Sequence, residues 1–245
     1  MNIVCIIQAR MGSTRLPKKV MKKICGKTVL EHDINRLKLS KNIDEIVIAT
    51  TTNKEDDEII KEAERLKVKY YRGAEEDVLS RYYYAAKDSK ADVIIRITSD
   101  CPCLDYKLLD DMVNIYIKNK DKYDYVNNTL ERTYPRGYDI EIFSFVALEE
   151  AFNKANLKYE REHVTPYIYD KKNNFRILCY KNNQDYSKYR ITLDTKEDLK
   201  VIESIYEGLY EKKGYFLLND VIEFLNNNPK IADINKNIEQ KKLGE

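Results

Sequence analysis

Apolar runs and helical patterns alternate along the first half of this chain, and that alternation leaves few folds open. "NIVCIIQ" (2–8), "EIVIAT" (45–50), "VKYY" (68–71) and "DVIIRIT" (92–98) read as short strands, rich in β-branched and apolar residues. Helical patterns over 29–40, 55–66, 78–88 and 106–119 separate them. Strands and helices in this rhythm build βαβ units, so the expected class is α/β, a single three-layer sandwich with a mostly parallel sheet.

The second half is less regular. Segments 123–127, 139–143, 175–181 and 189–193 read as strands, and 146–155 and 159–169 as helices. A long helix is expected after Asp194, with Thr195 as N-cap and Asp198 completing a capping-box pattern. A short helix over 217–225 follows. The expected domain spans 1–227, with 228–245 as a polar tail.

Composition narrows the function. Forty-three Lys and Arg nearly cancel 41 Asp and Glu, leaving a net charge of +2, which argues against a nucleic-acid binder. No stretch approaches the ~20 apolar residues of a membrane span. The five cysteines are odd in number and lack framework spacing, so reduced thiols, no signal peptide and a cytoplasmic location are expected. Against that neutral background the loop after the first strand, "QARMGSTRLPKKV", concentrates Arg10, Arg15, Lys18 and Lys19. Parallel sheets bind ligands outside the carboxyl ends of their strands, so this loop is placed to hold a small anion. It is neither a P-loop nor a G-x-G-x-x-G fingerprint.

Only seven glycines occur, and three lie in Arg-Gly settings at Gly12, Gly73 and Gly137, a pattern that suits loops converging on a ligand. Two aspartates close strands: Asp100 in "VIIRITSD" and Asp194 in "YRITLD". A hydrated Mg²⁺ takes one or two carboxylates beside phosphate oxygens, so such a pair suits it, with helix capping as the competing role. Arg10, Arg15 and Lys19 suit the phosphates of an anionic ligand (the β- and γ-phosphates, if it is the nucleoside triphosphate that the resemblance given below implies), assisted by amides near Gly12 and Ser13.

The opening loop resembles the signature A-R-x-x-S-x-R-L-P-x-K of the SpsF-type cytidylyltransferase-like family, related to CMP-Kdo synthetases and acylneuraminate cytidylyltransferases. Arg10, Ser13, Arg15, Leu16, Pro17 and Lys19 fall on it, and "GAEEDVLSRY", "RITSDCP", "GYDIEIFS", "EREHVTPY" and "ITLDTKEDL" extend the resemblance over most of the chain. One departure is Lys18, where the family often has Gly. The resemblance implies a nucleotide-binding, glycosyltransferase-A-like fold. It also implies transfer of a nucleoside monophosphate, CMP from CTP being favoured, to a sugar, with release of pyrophosphate. The product would be an activated sugar for surface polysaccharide or glycan biosynthesis.

It further implies Lys19, Arg10, Asp100 and Asp194 as catalytic residues, with Mg²⁺ as cofactor on Asp100 and Asp194. Arg72, Asp77 and Arg81 are expected on the nucleotide side, although Asp77 could equally cap the next helix. Arg136, Glu141, Arg161 and His163 are expected on the sugar side, where the positive charge favours a carboxylate or phosphate on the acceptor. A lone histidine such as His163 is more often structural, and His32 is expected on a helix surface. By analogy a homodimer is expected through about 127–143, where Tyr134, Tyr138, Ile140 and Ile142 supply apolar surface.

Three other readings compete. A sugar-1-phosphate guanylyl- or uridylyltransferase would use the same loop, which reads phosphates and not the base. A glycosyltransferase would carry a D-x-D motif, and "SDCPCLD" lacks one. A nucleotide sensor without turnover would have no need of Lys19, Asp100 and Asp194 together.

Overall fold

A computed structural model describes residues 1–240. In chain order its elements are β1 (Ile3–Gln8), β2 (Lys23–Ile24), β3 (Lys27–Thr28), α1 (Val29–Leu37), β4 (Glu45–Thr51), α2 (Asp57–Leu66), β5 (Lys69–Gly73), α3 (Val78–Asp88), β6 (Val93–Thr98) and α4 (Tyr106–Asn119). There follow β7 (Tyr125–Asn127), β8 (Glu141–Ser144), α5 (Phe145–Lys154), α6 (Lys158–His163), α7 (Pro166–Tyr169), β9 (Ile177–Cys179), α8 (Lys196–Lys213), α9 (Leu218–Asn227) and α10 (Pro229–Ala232).

Alternate side chains of a strand point to opposite faces, and in β1 both faces are apolar. Ile3, Cys5 and Ile7 enter one buried layer, and Val4 and Ile6 enter the other. Such a strand belongs in the middle of a covered sheet. β1 pairs in parallel with β4 and β6, and β4 pairs in parallel with β5. The order is β5-β4-β1-β6-β8-β7-β9, with β8 antiparallel to both of its neighbours. Helices α1, α2, α4, α8 and α9 cover one face, and α3, α5 and α7 the other. This is the expected three-layer α/β sandwich.

Local signals place several elements. Asp77 accepts from Ser80 N at the start of α3, and Asp105 accepts from the Lys107 and Leu108 amides at the start of α4. Thr195 and Asp198 form the expected capping box of α8. The helix expected over 159–169 is instead broken into α6 and α7. Val164 between them has φ 72°, and Pro166 can start a helix but cannot continue one.

The strand expected over 189–193 is not formed. Arg190 makes a single parallel bridge with Arg136, and the segment bonds to loops: Ile191 N donates to Arg136 O at 2.8 Å, and Leu193 N to Asp100 O at 2.9 Å. Gly137, at φ 98°, allows the close approach, because a Cβ there would run into the Ile191 carbonyl.

Two further expectations are corrected. His32 is buried on α1, with Nε2 bonded to Ile24 O at 2.8 Å and its ring against Tyr206. Tyr134, Tyr138, Ile140 and Ile142, expected to seed a dimer interface, are packed inside the apolar layer of the monomer. Of the segment expected as a polar tail, residues 228–240 fold back on the body, with α10 near α9 and Asn235 buried, and residues 241–245 lie outside the described residues.

Candidate active site

The strand order reverses between β1 and β6, and a cleft of about 800 Å³ opens at their carboxyl ends. One wall is the 9–20 loop, which local packing holds in shape. Met11 and Leu16 are buried, and Met11 N donates to the buried Asp56 carboxylate at 2.7 Å. Lys18 sits in the left-handed region at φ 55°, which explains why glycine suits that position. The 3₁₀ turn Lys19–Met21 follows immediately and carries Lys19 inward.

Lys19 Nζ lies 2.7 Å from Asp100 Oδ2 and 2.8 Å from Asp194 Oδ1. The other oxygen of each carboxylate is engaged elsewhere. Thr98 Oγ1 donates to Asp100 Oδ1 at 2.6 Å, while Arg190 Nη2 donates to Asp194 Oδ2 at 2.9 Å and Arg15 forms an ion pair with the same oxygen at 3.1 Å. Burial favours the neutral form of both Lys19 and Asp100, but their mutual attraction outweighs it. The Asp100 carboxyl is accordingly held down at about 2, and the Lys19 ammonium above its ordinary value.

Asp100 Oδ2 and Asp194 Oδ1 thus converge on one cation, here an ammonium. A hydrated Mg²⁺ needs no more from a protein than such a pair of oxygens, so the donor set fits that ion. Among the described residues no group of three or more His, Cys, Asp or Glu side chains is arranged around a metal. The rest of any metal's shell would therefore come from ligand and water.

Of the residues expected on the nucleotide side, Arg10, Gly12, Ser13, Arg15, Lys19 and Arg81 line the cleft. Arg10 reaches Glu75 at 2.8 Å, and Arg81 is buried with Nη1 on the Ala74 and Glu75 carbonyls. The Ser13 amide already donates to Met11 O at 2.8 Å. Arg72 and Asp77 are not brought into the cleft. Arg72 bonds the Thr51 and Asn53 carbonyls and pairs with Asp57, whereas Asp77 caps α3 and pairs with Arg161 at 2.5 Å.

On the sugar side, Arg136, Glu141 and His163 line the cleft, and Arg161 does not. Glu141 accepts from Tyr125 and Thr165 on Oε1 and from Arg96 on Oε2, so both of its oxygens already have protein partners. Burial holds the His163 imidazole below its ordinary pKa. Arg132 is locked to Asp139, at 2.5 and 3.0 Å. Among the described residues none of the ion pairs engages Arg136 (those nearest it join Arg132 to Asp139 and Arg190 to Asp194).

Reading the sequence missed Arg190, Thr98 and Gln240. A signal for the first was present: Arg96-Ile-Thr-Ser-Asp100 and Arg190-Ile-Thr-Leu-Asp194 share one pattern, Arg-Ile-Thr-x-Asp. A charged residue inside an apolar run must find a buried partner. Arg96 finds Glu141, and Arg190 finds Asp194 and Asp198. Nothing local marks Gln240, which reaches the cleft through the fold-back of the C-terminal segment.

A family model described as Cytidylyltransferase matches residues 4–231. An uncharacterised protein of Methanocaldococcus jannaschii is 41% identical over 252 residues, covering 100% of this chain and 99% of its own. The spore coat polysaccharide biosynthesis protein SpsF of Bacillus subtilis is 34% identical, covering 94% and 97%. A solved cytidylyltransferase from Leptospira borgpetersenii superposes with a TM-score of 0.91 at 38% identity, covering 99% and 100%.

Proposed function

The chain belongs to the cytidylyltransferase family, and on that premise we propose that it transfers CMP from CTP to an anionic sugar and releases pyrophosphate. The observation that carries this reading is the meeting of Lys19, Asp100 and Asp194 beside a basic loop, at the carboxyl ends of parallel strands. An acceptor oxygen bonds to the α-phosphorus as the bond to the bridging oxygen breaks, and negative charge builds on the leaving pyrophosphate. Such a reaction asks the protein mainly for positioning and charge neutralisation.

Each residue has a part in that. Arg10 and Arg15 line the wall that the triphosphate would follow. Lys19 holds the two carboxylates together and, as nucleotide enters, exchanges them for phosphate oxygens. Asp100 and Asp194 would hold Mg²⁺, which when bound would supply charge neutralisation of the phosphates. On the opposite wall, both Glu141 oxygens have protein partners and Arg161 is bound to Asp77, so Arg136 is the cation left to meet an acceptor's carboxylate or phosphate. The name of the SpsF relative supports a place in surface glycan synthesis.

The test is pyrophosphate release with CTP, UTP, GTP and ATP against keto sugar acids, sugar phosphates and neutral sugars, with and without EDTA. CTP with an anionic sugar should be the productive pair, and EDTA should abolish the reaction. Preference for UTP or GTP with a sugar 1-phosphate would reassign the substrates, and activity in EDTA would reject the metal pair.

A further inference from the structure

We propose that Arg190 and Thr98 are positioning residues that select the metal: each occupies one oxygen of a carboxylate, so that Asp194 and Asp100 offer only one oxygen apiece and the site takes Mg²⁺ over Ca²⁺. The proposal rests on the reading of those aspartates as the metal pair.

The two sides are built alike. Asp194 Oδ2 accepts from Arg190 Nη2 at 2.9 Å and is ion-paired with Arg15 at 3.1 Å, leaving Oδ1 toward Lys19. Asp100 Oδ1 accepts from Thr98 Oγ1 at 2.6 Å, with Cys101 Sγ at 3.5 Å, leaving Oδ2 toward Lys19. Ca²⁺ favours six to eight oxygens and readily takes both oxygens of a carboxylate, whereas Mg²⁺ is smaller and demands a strict shell. Single-oxygen presentation from both aspartates removes the advantage of the larger ion.

Arg190 can impose this because it is itself immobile. Its Nε and Nη2 grip Asp198 at 2.8 and 3.1 Å, and its Nη1 donates to Gln240 Oε1 at 2.7 Å. Asn235 Nδ2 donates to Asp198 Oδ1 at 2.8 Å and to Arg190 O at 2.9 Å. A planar guanidinium makes four such bonds to Asp194, Asp198 and Gln240 at once, one more than the three N–H donors of an ammonium could supply. The C-terminal segment around 235–240 is therefore part of the support of the site.

The test measures Mn²⁺ binding to the full chain by electron paramagnetic resonance, with a non-hydrolysable α,β-methylene CTP present, and then titrates Mg²⁺ or Ca²⁺ as competitor. The wild type should release Mn²⁺ to Mg²⁺ at lower concentration than to Ca²⁺. In Arg190→Gln the Mg²⁺ affinity should fall by about 10-fold or more, with a smaller loss for Ca²⁺. Thr98→Val, which keeps shape and removes the donor, should move the ratio the same way. It also serves alone if Arg190→Gln, which strands the buried Asp198, does not fold. Gln240→Ala should give a partial shift. An unchanged Mg²⁺-to-Ca²⁺ ratio in folded Thr98→Val overturns the proposal. Failure of the wild type to bind Mn²⁺ at all would instead overturn the metal assignment beneath it.

Discussion

Lys19 and Asp100, 81 positions apart in the chain, meet at 2.7 Å inside the cleft, where each keeps the other charged against burial. Neither group is expected to change its charge across the neutral range. A lysine held between two carboxylates is a resident counter-ion that entering phosphates can draw away.

Lys19→Ala should lower kcat/KM for CTP by about 10- to 100-fold, the loss of a charge-assisted contact of about 1.5–3 kcal/mol. The same variant should bind Mn²⁺ more tightly than wild type when nucleotide is absent, because the ammonium no longer occupies the meeting point of the carboxylates. Lys18→Ala, which loses only an exposed pair with Glu58 at 3.2 Å, is the control. Steady-state kinetics and metal titration check both parts, and unchanged values would make Lys19 a purely structural clasp.

Arg136→Ala should raise the acceptor KM about 10-fold or more, in line with the loss of a hydrogen bond to a charged group, while the CTP KM stays nearly constant. Arg161→Ala makes a different prediction, since its partner Asp77 caps α3: thermal stability should fall. Parallel changes in both KM values for Arg136→Ala would place that residue outside the acceptor site.

Gly137→Ala should destabilise the fold by about 2 kcal/mol or more, through its positive φ and the clash with the Ile191 carbonyl. Because Ile191 lies three residues before Asp194, activity should fall further than the folded fraction does. Denaturant unfolding beside kinetics at low temperature separates the two effects, and wild-type stability would refute the close approach.

His32 sets a pH dependence. Burial holds its imidazole down at about 4 against an ordinary 6.5, so between those values the unfolded chain binds the extra proton and the native chain does not. Its contribution is therefore complete above pH 6.5 and declines as pH falls toward 4, by about 3 kcal/mol in all. His32→Gln should lose that dependence, and urea unfolding of both proteins at pH 7 and pH 4.5 should show the stability gap between them narrowing in acid. A gap of constant size would mean that the imidazole titrates normally.

Much of the fold was legible because its causes are local. Asp77 and Asp105 cap α3 and α4 from within their own segments, Thr195 and Asp198 cap α8, and the doubly apolar β1 declares its central place. Errors arose where a partner lies far away in the chain. Residues 189–193 have strand composition, but their backbone is bonded to the loops of Asp100 and Arg136, so they line the site and extend no sheet. The apolar run through Tyr138 and Ile142 read as spare surface because nothing local shows that helices cover it.

The sequence by itself determined the layered α/β class, the basic loop after β1 and the aspartates that end two apolar runs, since periodicity, capping and strand ends are written in neighbouring residues. Only the tertiary structure decided which charges share a partner. Lys19 meets Asp194 across 175 positions, Arg161 is taken by Asp77 while Arg136 is left to the cleft, and Arg190 is clamped by Asn235 and Gln240 from the end of the described chain. The reason is physical: side-chain electrostatics act over a few ångströms in space, and the order of strands in the sheet, not distance along the chain, sets which side chains come that close.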